Sequence, residues 1–220
     1  AQWFEDYHEW HMAMDPADGR KKIQIWDLKR GPRYASSTEA FIIIEECARI
    51  LTLYYDFGDF SHIGAWHHAA GDFIVKCHKD GRLDVRLTTV RQYEPQPATE
   101  DAGPMIAIIY FFLDTTVKMR LDRLDGVGET VWLGDFAVTA TVRGFFEGLH
   151  TRETKGDGLM PVQVANLLSL LKSFDRPELE RVFEPLMDHH ATQNPDETAF
   201  MRTRISNHIS VLCQALRDFH

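Results

Sequence analysis

The stretch from Gly71 to Val90, GDFIVKCHKDGRLDVRLTTV, constrains this chain more than any other, because two alternating apolar runs flank an Asp-Gly pair. Strand side chains alternate faces, so a slip of one residue would turn the whole apolar set to water. Phe73, Val75 and Cys77 make the apolar face of one strand, and Leu83, Val85 and Leu87 that of the other. They oppose each other only if Lys79, Asp80 and Gly81 form a three-residue loop with Gly81 in the left-handed region. A two-residue Asp80-Gly81 turn mixes the faces. The same register sets Lys76 against Asp84 on the solvent side, Cys77 in the core and His78 outside it.

The same test predicts a second, longer hairpin. Leu113, Thr115, Val117, Met119 and Leu121 alternate with Asp114, Thr116, Lys118, Arg120 and Asp122. A four-residue loop from Asp125 to Gly128 then sets Val117 against Phe136, Leu113 against Ala140 and Lys118 against Asp135. A helix over Ile106–Leu124 competes, since Ile106–Leu113 is apolar on every side; the β-branched content favours strand.

Composition narrows the class. With 220 residues, 44% of them hydrophobic, the chain can bury one sizeable core. A net charge of −9 argues against a duplex phosphate backbone as partner. The basic runs Arg20-Lys21-Lys22 and Lys29-Arg30 read as solvated loop ends. Cys47, Cys77 and Cys213 are odd in number and far apart, which suits reduced apolar residues and a cytoplasmic location. No apolar span of membrane length or signal pattern is present, so no membrane partner is expected.

Along the chain, Trp3, Tyr7, Trp10 and Met14 fall at helical spacing and predict an aromatic amphipathic helix over residues 2–14, ended by Asp15-Pro16. Residues 22–28 predict a short strand with Ile23 and Ile25 on one face. Ser36 and Glu39 have capping-box spacing for a helix over residues 37–55 that is apolar nearly all round and therefore buried. Residues 56–70 read as loop, and residues 93–104, with three prolines, as an exposed connection. The tripeptide Gly-Asp-Phe recurs at 58, 71 and 134 without a common period, so it marks strand entry and no duplication. Residues 154–161, TKGDGLMP, are the best linker. Helices follow over 162–174, 177–190 and 195–217, with Asp175 and Asn194 as N-caps. The last presents Ile205, Ile209, Leu212, Leu216 and Phe219 as one stripe.

Three constellations could carry chemistry. His62, His67, His68 and Asp72, with His78 nearby, offer the imidazole and carboxylate donors of a zinc or iron site. They lack an HxH or HExxH element, and polar loop histidines are the plainer reading. Glu45 and Glu46 in the buried helix could anchor a ligand or cofactor; the plainer reading pairs Arg49 with Glu45 at i,i+4 and leaves Glu46 to solvent. Asp188, His189, His190 and His208 gather in the helical tail, where helix-end histidines interact well with the helix dipole. No Gly-x-Ser-x-Gly elbow, activated cysteine or phosphate-binding glycine loop occurs.

The expected architecture is α+β: an antiparallel four-stranded β-meander packed on a buried helix, with residues 1–153 as the main domain and 154–220 as a C-terminal helical segment packed on it. The leading functional expectation is a binding or interaction protein that needs no cofactor. It would form a homo-oligomer or dock a protein partner through the N-terminal aromatic helix and the C-terminal helix, without nucleic acid or membrane. The alternatives are a metal-dependent enzyme using segment 62–78, and a small-molecule sensor whose ligand lies between sheet and buried helix.

Overall fold

In the computed structural model, which describes residues 4–68, 71–95, 103–156 and 162–220, the chain opens with strands β1 (His8–Met14), β2 (Lys21–Ile25) and β3 (Arg33–Tyr34) and helix α1 (Ser37–Leu53). Strands β4 (Ser61–Ile63), β5 (Phe73–Cys77), β6 (Leu83–Leu87) and β7 (Tyr93–Pro95) follow. Helix α2 (Pro104–Lys118), strands β8 (Leu121–Arg123) and β9 (Thr130–Trp132) and helix α3 (Phe136–Thr154) come next. Four helices close the chain: α4 (Val164–Ser173), α5 (Arg176–Gln193), α6 (Pro195–Arg202) and α7 (Ile205–Asp218). The α+β class stands, but the four-stranded meander does not. The main sheet has five antiparallel strands in the order β3-β2-β1-β5-β6, and β4–β7 and β8–β9 are separate two-stranded ribbons.

The first hairpin has the register its pattern requires. Phe73 pairs with Leu87, Val75 with Val85, Lys76 with Asp84 and Cys77 with Leu83. Gly81 is left-handed at φ 83°, and the His78 N–H donates to the carbonyl of Arg82 across the loop. Cys77 departs from expectation. Burial fades toward the turn, so its thiol is exposed and accepts from Arg33 Nη2 at 2.9 Å.

The N-terminal aromatic helix is instead the central strand β1, paired with β2 through Trp10↔Ile25 and Met12↔Ile23. Trp10 and Met12 face the core, while His11 lies under Trp26 and Ala13 is also buried. A strand covered on both faces loses its period-2 signature, and the helical spacing of its aromatics is coincidental. Trp3 lies outside the described residues.

The second hairpin survives only at its tip. Leu121 pairs with Trp132 and Arg123 with Thr130, which is the expected register, and the Leu124 N–H meets the carbonyl of Glu129 across the four-residue loop. The flanks are helices. Gly103 caps α2 and Pro104 opens it. The apparent polar face of the strand consists of buried Asp114 and Thr116 and half-buried Lys118, each with a specific partner: they bond to His190, His208 and the carbonyl of Gly64. Alternation therefore recorded a polar network inside a central helix.

Helix α1 begins at the Ser36–Glu39 capping box and crosses α3 closely. Ala140, Gly144 and Gly148 align at four-residue spacing on α3, and a Cβ built on Gly144 would stand 2.0 Å from the carbonyl oxygen of Glu45. Asp175 and Asn194 cap α5 and α6 as their spacing predicts, and the expected final helix breaks into α6 and α7. Ile209, Leu212 and Leu216 of α7 are buried against this chain's own helices. The aromatic and apolar stripes that suggested a partner are thus largely covered from within. One apolar core runs from Trp10 and Ile23 through α1, α2 and α3 to Leu216. The expected linker starts at the last residue of α3, and its residues 157–161 lie outside the described ones, as do residues 96–102 of the proline-rich connection. Among the described residues, no helix is long and apolar enough to cross a membrane.

Candidate functional site

Two clusters of histidines that lie far apart in sequence, 62–67 and 189–190, line one cleft of about 220 Å³ beside the C-terminal half of α2. Its floor is Asp114 with Lys118, one turn apart on α2; its walls are His62 and Trp66 near β4, Glu94 on β7, His189 and His190 on α5, and Glu197 on α6.

Asp114 is buried, and its Oδ1 lies 2.7 Å from His190 Nε2. A carboxylate accepts, so the imidazole Nε2 carries the proton. Among the described residues, the other ring nitrogen, Nδ1, has no hydrogen-bond partner. Lys118 Nζ lies 3.5 Å from Asp114 Oδ2 and donates to the carbonyl of Gly64 at 2.5 Å. Burial pushes the Asp114 carboxyl up, but Lys118, His190 and His62 together outweigh it and hold the group well below the usual carboxylate range.

His62 is organised in a parallel way. Its Nδ1 donates to the carbonyl of Phe60 at 3.3 Å, which leaves Nε2 as the acceptor. Phe60 itself is left-handed at φ 64°, an uncommon conformation for an aromatic residue. The ring of His62 stands edge-on to Phe111 of α2. Burial lowers the pKa values of His62, His67 and His189, so these three rings favour the neutral form. The arrangement can take a proton at His190 Nδ1 while Asp114 steadies the resulting charge.

Of the metal-site candidates, His62 and His67 reach this cleft, whereas His68 and Asp72 are used elsewhere. His68 is fully buried against Trp10 and Trp66, with Nε2 donating to the carbonyl of Met119. Asp72 is also buried; it accepts from Arg91 Nη2 at 2.6 Å and from the His67 N–H at 3.0 Å, so it pins the turn that carries His67. Among the described residues, no group of three or more His, Cys, Asp or Glu side chains is arranged to hold a metal ion.

Glu45 and Glu46 stand on the far side of α1. Glu45 pairs with Arg143 of α3 at 2.9 Å, and Arg49 pairs with Glu46 at 2.6 Å, which exchanges the partner expected from the i,i+4 spacing. Glu46 lies in an open groove between α1 and β6, with Tyr7 and Asp84 on its other wall. Sequence reading missed Asp114 and Lys118, because it placed them on a solvent face. Their available signal was a charged i,i+4 pair following eight apolar residues. No family model, curated protein sequence or solved structure matches the chain.

Proposed function

We propose that the protein binds a small polar molecule in the cleft beside α2 and exchanges a proton with it through His190. The observation that carries this reading is the buried Asp114–His190 bond, which leaves Nδ1 without a partner among the described residues in a cleft. A buried carboxylate is costly unless paired, and titratable groups perturbed by burial and by a charged partner in a cleft are typical of functional sites. A volume near 220 Å³ lies below the ~300–1,000 Å³ of drug-sized sites, so the ligand is a compact metabolite. The reading takes up the small-molecule alternative at a different pocket, and it needs no metal.

The test is a thermal-shift panel of small polar metabolites on the wild type, His190→Gln and Asp114→Asn. At least one compound should raise the melting temperature of the wild type through preferential binding to the folded state. Its apparent affinity should fall tenfold or more in His190→Gln. If every stabilising compound acts equally on His190→Gln, the cleft is not the site.

A further inference from the structure

A second concavity shares no lining residue with the cleft, and its chemistry is different. The turn after β2 and the loop between β5 and β6 face each other over a groove of about 800 Å³. Lys29, Arg30 and Arg33 line one side, and Lys76 and Lys79 the other; Asp6, Asp27 and Glu39 are the carboxylates. Five cations against three carboxylates make a positive region on a chain of net charge −9. His8 and His78 also line it and add positive charge when protonated.

The carboxylates are already committed. Asp6 holds Lys29 at 2.6 Å, Glu39 holds Arg33 in a two-pronged pair, and Asp27 accepts the backbone N–H groups of Lys29 and Arg30. Lys76 Nζ donates to the carbonyl of Glu5 and lies 3.9 Å from Asp6. Arg30 and Lys79 have no side-chain hydrogen bond or ion pair among the described residues. The groove therefore holds two uncommitted cations, Arg30 on the turn after β2 and Lys79 on the β5–β6 loop, in a volume large enough for a multiply charged anion. Guanidinium and ammonium together suit phosphate: the first binds it two-pronged and the second as a point charge. We infer that this groove is a binding site for a phosphate-bearing anion, separate from the cleft and independent of its function. The same chemistry recognises a free phosphorylated metabolite or a phospholipid headgroup.

Cys77 reports on the site from within, since its exposed thiol lies in the groove beside Arg33. The experiment measures pyrophosphate binding by NMR and co-sedimentation with phosphatidic acid vesicles, for the wild type and for Arg30→Ala/Lys79→Ala. In parallel, site-resolved mass spectrometry follows alkylation of Cys77 by anionic iodoacetate and by neutral iodoacetamide. In the wild type, pyrophosphate should shift residues 29–33 and 76–81 and protect Cys77 from iodoacetamide. The double variant should bind at least tenfold more weakly, and its iodoacetate-to-iodoacetamide rate ratio should fall several-fold. Vesicle binding lost in the double variant assigns the site to a headgroup, and pyrophosphate binding alone assigns it to a soluble anion. Failure of both probes, or binding that survives the double variant unchanged, overturns the proposal. Both substituted side chains are exposed and unpaired, so an unaltered melting temperature confirms that folding is not the cause.

Discussion

Asp114 shows how a charge becomes tolerable inside this protein. An isolated carboxylate buried at that depth costs several kcal/mol, and the chain offsets it with Lys118 one turn away and His190 from a helix 76 residues later. The first partner was legible in the sequence as an i,i+4 pair. The second was not, because nothing local says that α5 returns to α2. Two other histidines follow the opposite rule and stay neutral. Burial pushes both His68 and His208 down to about 3. In the unfolded chain each titrates near 6.5, so between about pH 6.5 and 3 the unfolded state binds more protons than the native one. Their contribution to stability is therefore complete above pH 6.5 and lost as the pH falls, by up to about 1.4 kcal/mol per pH unit for each. Urea midpoints measured from pH 7.5 to 4.5 should fall accordingly. The slope should be shallower by about one proton in His208→Gln, which keeps a donor for Thr116. A midpoint that is flat over this range would contradict the buried neutral state.

At the scale of elements, the contact of α1 with α3 is set by glycine. Replacing Gly144 with Ala gains about 1 kcal/mol of helix propensity, but the added methyl would stand 2.0 Å from the backbone oxygen of Glu45. Overpacking against backbone cannot be relieved by a rotamer change, so the clash wins. Gly144→Ala should lose roughly 2–3 kcal/mol of stability net, whereas Gly103→Ala, with no atom within 4 Å of the new Cβ among the described residues, should lose at most about 1 kcal/mol, the cost of Ala in place of Gly at the N-cap of α2. Chemical denaturation of both variants decides it, and equal stabilities would refute the close crossing. The elements that sequence patterning identified correctly share a feature: one face meets the core and the other meets water. The β5–β6 hairpin, β2 and the capped starts of α5 and α6 are of this kind, while α1 was legible from its capping box and its nearly continuous apolar surface. Of the elements misread, β1 and α2 are covered on both sides, so period carries no information about them, and the first turns of α3 were read as the return strand opposite α2. In α2 the polar partners imitated a strand's alternation, and only the tip of that hairpin, β8–β9, holds the expected pairing.

For the whole molecule, the α+β class was legible from composition and punctuation, but the assembly of the sheet was not. The sheet joins the N-terminal strands to the 73–87 hairpin, and that long-range pairing leaves no mark on local pattern. The candidate site has the same character. His62 and His67 were visible as a polar loop cluster, and His189 and His190 as a helix end, yet the fold alone brings the two sets to one cleft at Asp114. The structure separates this cleft from the cationic groove, and each has its own histidine reporters. The most direct measurement is therefore a histidine-ring NMR spectrum recorded while the best stabilising metabolite is added. The account predicts that the His62, His67, His189 and His190 signals shift together and saturably, while those of His8 and His78 stay fixed. Shifts centred on His8 and His78, or no saturable change at His190, would contradict it.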